Sequence, residues 1–218
     1  MRRSVISASA VLFDWDGTLL NSYHSDTRAY LEMFRTLGIS WGVEELAQHY
    51  SPNWHRVYRA AGIPRSRWDE ADRLWARAYD KESPQLLPGA RRVLRALERR
   101  FDLALVTSGN RRRVRRQLRE FDLVRKFGAC VCCEDAPRRK PHPAPLELAL
   151  RRLRAEPESC VYVGDTPDDI EMARRAGVRA IAVLGPFPTH HRLRAARPDM
   201  LLDSIAELPE RLSPDESD

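Results

Sequence analysis

Five short apolar runs divide the chain: SAVLFD at 9–14, DLALVT at 102–107, ACVCCE at 129–134, CVYVGD at 160–165 and RAIAVL at 179–184. They are continuous rather than alternating, which is the pattern of strands buried on both faces of a parallel sheet. A sixth run, DMLLD at 199–203, reads as an edge strand. Between the runs, apolar residues recur at helical spacing: Val93, Leu94 and Leu97, then Val114, Leu118 and Phe121, then Leu146, Ala149, Leu150 and Leu153. Strands and helices that alternate through short loops need right-handed crossovers, and these lay helices on both faces of the sheet. The expected fold is therefore α/β, a Rossmann-like doubly wound parallel sheet.

The alternation breaks between the first two runs. One crossover helix needs only about a dozen residues, yet the segment 21–86 intervenes, and its pattern is helical throughout. Tyr30, Met33, Phe34 and Leu37 share one face; Trp68, Asp72, Trp75 and Tyr79 share another, with an acid interrupting the stripe. All five tryptophans lie at or before Trp75, and most read as the core of a small helical bundle. Pro88 and Gly89 then punctuate the return to the sheet. The expected organisation is a core built from 1–20 and 87–207, a small inserted all-helical domain at 21–86, and a disordered tail at 208–218 ending in SPDESD.

Composition changes this picture little. A chain of 218 residues with 43% hydrophobic residues can bury a sizeable core and a small insert. The start, MRRSVISASAVLFDWD, reaches Asp14 before any long apolar segment forms, and no stretch is built to span a membrane, so a cytoplasmic protein is expected. Cys130, Cys132, Cys133 and Cys160 lack the paired spacing of a zinc site and read as reduced, buried thiols. The formal charge of +6 and the run RRRVRR at 111–116 raise nucleic acid as a partner. Against that, every basic residue except Lys81, Lys126 and Lys140 is an arginine, and the arginines are scattered along the whole chain. Arginine-rich helix faces follow from that bias, so the run reads as a solvated face rather than a nucleic-acid stripe.

Candidate chemistry gathers at the ends of the runs. In an open parallel sheet, ligands bind beyond the carboxyl ends of the strands. Asp14 ends the first run, Thr107 the second and Asp165 the fourth, while Lys140 follows the third. Carboxylates at Asp14 and Asp165 supply hard oxygen ligands that suit Mg2+, which completes its octahedron with water and substrate phosphate. With the metal and Lys140 neutralising phosphate charge, an anionic carboxylate can approach phosphorus. Thr107, or Ser108 in its place, offers a hydroxyl, and the backbone from Ser108 to Gly109 offers N–H groups at a helix start, where phosphate binds.

FDWDGTLL, TSGN, RRKP and GDTPDD occur in this order, each at a strand end or in the following loop. Together they resemble the four motifs of the haloacid dehalogenase-like hydrolase superfamily. The insert is similar to the helical cap of its phosphoglycolate phosphatase and beta-phosphoglucomutase branch. The resemblance implies that Asp14 is the nucleophile that forms an aspartyl-phosphate, and that Asp16 protonates the leaving oxygen and then activates the hydrolytic water. It also implies Mg2+ held by Asp14, Asp165 and the Asp16 carbonyl. Asp169, rather than Asp168, would orient Lys140 or the waters of the metal from behind these ligands. Gly17 would allow close backbone approach, and Thr18 would support the turn.

Residue types then separate the chemistries of the family. Asp16 argues for phosphoryl transfer, since the dehalogenases lack that second acid. The only lysine of the insert, Lys81, lies near its far end, which argues against a phosphonatase. Beta-phosphoglucomutases carry a cap-hinge histidine where this chain has Asp26, with His24 off that register. The expected activity is thus hydrolysis of a small phosphorylated metabolite, by a monomer or homodimer. The alternatives are a phosphosugar mutase and a non-catalytic protein that binds a phospho-ligand or nucleic acid. NWHRVYR at 53–59 offers His55, Arg56 and Arg59 as candidates for substrate specificity, against a solvated helix with Trp54 and Tyr58 packed inward.

Overall fold

The computed structural model describes residues 4–215. Six parallel strands form its main sheet: β2 (Ala10–Phe13), β5 (Asp102–Val106), β6 (Ala129–Val131), β7 (Cys160–Gly164), β8 (Arg179–Val183) and β9 (Met200–Leu202). Their order is β6-β5-β2-β7-β8-β9, so β2 sits in the middle and the winding reverses beside it. Side chains alternate across the sheet with the period of two that extended backbone dictates. Val11, Phe13, Leu105, Val163 and Ile181 face one core; Ala10, Leu12, Val106, Tyr162 and Ala182 face the other. The first core is covered by α5 (Ala90–Leu97) and α6 (Arg111–Glu120), through Val93, Leu94, Leu97, Val114 and Leu118. The second is covered by α7 (Ala144–Leu153) and α8 (Pro167–Arg175), through Leu146, Ala149, Leu150, Ile170 and Ala173. This is the Rossmann-like arrangement that the apolar runs call for.

The insert holds α1 (Tyr23–Leu37), α2 (Val43–His49), α3 (Trp54–Ala60) and α4 (Trp68–Tyr79). Gly38, at φ 76°, turns the chain out of α1 and donates its N–H to the Phe34 and Arg35 carbonyls, in a left-handed conformation that costs glycine little. Tyr30, Met33 and Phe34 pack with Leu46, Val57, Tyr58, Ile63 and Ala71 in a core of their own.

Two features depart from expectation. The insert is not helical throughout, because β3 (Leu20–Asn21) pairs antiparallel with β4 (Gln85–Leu86) where the chain leaves and re-enters the sheet domain. The pairing ties the two adjacent crossings together through their backbone groups. The chain from 208 to 215 is also ordered, contrary to the expected tail. Leu212–Pro214 forms β10, which pairs in parallel with β1 (Ile6–Ala8), and Leu208 and Leu212 are buried against the first core. Residues 216–218 of that predicted tail lie outside the described residues. The RRRVRR face is not simply solvated either. Arg111 pairs with Asp135 and Arg116 with Asp80, whereas Arg113 turns inward and is 7% exposed. Among the described residues no helix is long and apolar enough to cross a membrane.

Candidate active site

The site lies beyond the carboxyl ends of β2, β5 and β7. Asp14 follows β2 directly, and its N–H donates to Val163 O, which ties the loop to β7. Lys140 reaches it from the loop before α7 and is fully enclosed: its Nζ donates to Asp14 Oδ1 at 2.6 Å, to Asp169 Oδ1 at 2.8 Å and to Tyr162 Oη at 2.6 Å. Three acceptors satisfy all three ammonium protons. A guanidinium has no equivalent compact geometry, which is why a lysine stands here in a chain of arginines. Burial disfavours the ammonium, but Asp14 and Asp169 outweigh it and hold the Lys140 pKa above the ordinary lysine range.

Asp169 is positioned by helix capping. It lies in the first turn of α8, where its Oδ2 accepts from Thr166 Oγ1 at 2.6 Å and from Thr166 N at 3.1 Å, while Thr166 caps the helix in return. One carboxylate thereby fixes the helix start and orients Lys140. Asp168, its neighbour, points elsewhere and pairs with Arg56 at 3.0 Å and Ser51 at 3.0 Å.

Asp165 directly follows β7 and is fully buried. Its Oδ1 accepts from Thr18 Oγ1 at 3.3 Å, but its Oδ2 has no hydrogen-bond partner. Ligand oxygens of Asp14, Asp165 and Asp169 lie within 4.8 Å of one another. Burial raises Asp14 to about 7, with Lys140 opposing and Asp169 and Asp16 adding to the rise. Burial likewise pushes Asp165 well above the carboxylate range, and the charges of Asp14 and Asp169 add to it. Buried carboxylates crowded in this way, one with an orphaned oxygen, fit a hard divalent cation, which would relieve both the repulsion and the unmet lone pairs. Gly17, at φ 85°, keeps this space open, since a Cβ there would overlap the Asp165 carboxylate and the Phe187 ring.

Thr107 and Ser108 follow β5. Thr107 Oγ1 accepts from Gly109 N at 3.0 Å, and Ser108 Oγ is buried without a partner. Asn110 caps α6 by accepting from Arg113 N at 2.9 Å. Thr107, Ser108 and Gly109 border the same cavity as Asp14 and Asp16.

Two residues of the site carried no functional reading in the sequence. Tyr162, in the middle of β7, donates to Val106 O at 3.0 Å and gives Lys140 its third acceptor. Arg113 clasps Asp16 with two hydrogen bonds of 2.8 and 2.6 Å. It fills the room that Gly109 leaves, because a Cβ on Gly109 would strike its guanidinium. Burial works to raise Asp16, yet the charge and hydrogen bonds of Arg113 prevail and hold it below the usual carboxylate range. Arg113 also contacts Tyr79 Oη at 3.3 Å and stacks on the Tyr79 ring, joining the acid to the last helix of the insert. A buried ion pair is worth little against apolar replacement but costs about 3–5 kcal/mol to break one-sidedly. Arg113→Met is therefore expected to lower the unfolding free energy by about 3 kcal/mol, and Asp16→Asn added to it to recover part of that loss. Urea unfolding of both single variants and the double variant checks the coupling.

The three insert residues expected to choose the substrate do not border the cavity over Asp14. His55 stacks on Trp68 at 4.3 Å with Nδ1 3.0 Å from Arg139, Arg56 pairs with Asp168, and Arg59 donates to His55 O at 3.2 Å. The helix register explains this: Val57 and Tyr58 are the buried side of α3, so neighbouring positions face the rim. Trp54, one turn away from Tyr58, does border the cavity, with Arg139 lying over its ring at 4.1 Å.

A doubly wound sheet, strand-end carboxylates around a buried lysine and a helical insert above them define a hydrolase of the phosphatase class. The chain belongs to the haloacid dehalogenase-like hydrolases, whose family model matches residues 11–183. A pyrophosphatase PpaX from Bacillus cereus is 29% identical over 205 residues, covering 92% of this chain and 94% of that protein. CbbY from Rhodobacter sphaeroides, solved in complex with phosphate, aligns with a TM-score of 0.79 and 28% identity, covering 92% of this chain and 96% of that one. A Lactobacillus plantarum protein assigned as a phosphoglycolate phosphatase shares the fold with a TM-score of 0.84 at 22% identity, covering 94% of this chain and 99% of that one.

Proposed function

We propose that the chain hydrolyses small phosphomonoesters in a Mg2+-dependent reaction through an aspartyl-phosphate on Asp14. The observation that carries this reading is the enclosed Asp14–Lys140–Asp169 array beside the orphaned oxygen of Asp165. Asp14, Asp165 and the Asp16 carbonyl would hold the ion, which supplies charge neutralisation for the transferring phosphoryl group.

The other steps belong to the protein. Lys140 holds one Asp14 oxygen at 2.6 Å, leaving the other carboxylate oxygen to attack phosphorus in line. Ser108 Oγ, buried without a partner, and the Ser108 N–H receive the phosphoryl oxygens. Asp16 gives its proton to the leaving oxygen and, once ionised, takes a proton from the water that cleaves the acyl-phosphate. To do so its carboxyl leaves Arg113, whose bonds favour the ionised form. Arg113 links that exchange to Tyr79, and hence to the placement of the insert over the site. Arg56–Asp168 and Arg192–Tyr50 O, at 3.0 and 3.1 Å, join the insert to the sheet domain on the other side. Closure of these contacts over the substrate excludes bulk water.

Phosphate release from acetyl phosphate and a panel of phosphomonoesters tests the reading. Turnover is expected with Mg2+, to fall to background with EDTA, and to return when Mg2+ is restored. Turnover that is indifferent to EDTA would refute it.

A further inference from the structure

A second cleft, with a volume of about 550 Å3, lies between the insert and the sheet domain and opens away from the cavity over Asp14. Six arginines line it: Arg56, Arg59 and Arg65 from the insert, and Arg138, Arg139 and Arg175 from the sheet domain. No acidic side chain lines it among the described residues. Asp168 pairs with Arg56 and Glu171 with Arg175, which leaves Arg59, Arg65, Arg138 and Arg139 with no carboxylate partner among the described residues. Arg139 and Cys133 border both this cleft and the cavity over Asp14, and so stand between the two.

Two of the guanidiniums are held in place by aromatic rings. Arg139 lies over Trp54 at 4.1 Å and Arg65 over Trp68 at 5.7 Å, which occupies the face of each group and leaves its N–H edge for an anion. Arg139 Nε is buried without an acceptor. The one unmet acceptor of the lining, Asn53 Oδ1, belongs to an amide that offers donors when turned over. His55 stacks on Trp68 with Nδ1 3.0 Å from Arg139. Burial and then the charge of Arg139 hold it below the ordinary histidine range, Arg59 and Arg65 adding and Asp72 opposing, so the ring receives the charge of three arginines at once.

Like charges facing each other across a domain junction repel. An anion with several charges reverses this, because a chain of phosphoryl groups can accept from both walls, and guanidinium forks match phosphoryl oxygens in paired hydrogen bonds. A singly charged anion offsets too little of four unpaired cations. We propose that the cleft binds an oligophosphate, as a ligand separate from the one that reacts at Asp14, and that the bound chain ties the insert to the sheet domain. The site rests on charge and geometry and does not depend on the phosphatase reading.

Calorimetric titration of tripolyphosphate and of ATP into the protein in metal-free buffer tests it. Under these conditions Asp14, Asp165 and Asp169 repel a further anion at the catalytic end, and one equivalent is expected to bind in the cleft. Arg65→Gln and Arg138→Gln, one on each wall and both exposed, are each expected to weaken binding about tenfold. Ser108→Ala, at the catalytic end, is expected to leave the affinity within twofold of wild type. A circular dichroism melt confirms that the variants fold. Affinity for ATP within threefold of that for tripolyphosphate assigns recognition to the phosphate chain alone, and tenfold tighter binding assigns a nucleotide; both support the site. Absence of binding to the wild type would overturn the proposal, as would an affinity within twofold of wild type in either arginine variant. A loss in Ser108→Ala larger than in the arginine variants would place the anion at the catalytic end and overturn it equally.

Discussion

Asp14→Asn is expected to lose turnover of every phosphomonoester, by on the order of 10^4-fold or more, while the protein stays folded. The amide is nearly isosteric but cannot form the acyl-phosphate, and covalent catalysis with one nucleophile leaves no alternative route at the site. Its effect on stability should be small. Lys140 keeps Asp169 at 2.8 Å and Tyr162 at 2.6 Å, and the amide oxygen can still accept from it. The substitution also removes one of the mutually repelling buried carboxylates around Asp165. Steady-state phosphate release and a thermal melt on the same preparation check both halves. Activity within tenfold of wild type would place the nucleophile elsewhere.

Lys140→Met is expected to damage both stability and activity. Lys140 is 2% exposed, and its neighbours Asp14 and Asp169 are 8% and 1% exposed at the side chain. Removing the cation leaves two buried carboxylates facing each other, and breaking a buried pair from one side costs about 3–5 kcal/mol. For a domain of this size each kcal/mol moves the melting midpoint by about 2–4 °C, so a fall of roughly 10 °C is expected. Turnover should fall by about 10^3-fold or more, since nothing then orients Asp14 or offsets phosphate charge from that side. Lys140→Arg should recover little, because the three acceptors of the ammonium enclose it too closely for a planar guanidinium. A midpoint and a rate equal to wild type would refute the role assigned to Lys140. Mg2+ titrated into the melt distinguishes lost charge balance from lost packing, as only the former is partly relieved by a cation.

Much of the architecture was legible in the chain itself, because burial on both faces imposes an uninterrupted apolar run and a helix imposes a repeat of 3.6 residues. These signals are local, and they located the six strands of the main sheet and the helices around it. The pairings of β1 with β10 and of β3 with β4 were not legible. Their strands are two or three residues long, and the partners lie far apart in sequence, so neither leaves a local signature. Over 208–215 the expectation of a disordered tail failed for the same reason: Leu208 and Leu212, which anchor that stretch, are too few to make a pattern.

The site divides along the same line. Asp14, Asp165 and Asp169 could be read because each stands just after a strand or in the first turn of a helix, and Lys140 because it is a lone lysine among arginines in the loop before α7. Arg113 could not. Five other arginines flank Val114 within RRRVRRQLR at 111–119, and no local property separates the one that turns inward. Which of them meets Asp16 depends on the crossing of α6 over the loop after β2, with Gly109 leaving space for the guanidinium. The insert repeats the lesson. His55, Arg56 and Arg59 have the chemistry of substrate contacts, but the buried side of α3 is set by Val57 and Tyr58 packing into the core of the insert, and that packing turns the three toward the rim.

The sequence by itself determined the doubly wound sheet, the helical insert, the acids at the strand ends and the lysine of the loop before α7, since hydrophobic periodicity and strand-end placement act over a few residues. The tertiary structure alone decided that Arg113 holds Asp16, that Tyr162 completes the shell of Lys140, and that Asp26, Trp54 and Trp75 border one cavity with Asp14 and Asp16. Each of these is a meeting of side chains from separate elements, set by how helices and sheet pack at close density, and packing of that kind has no one-dimensional signal.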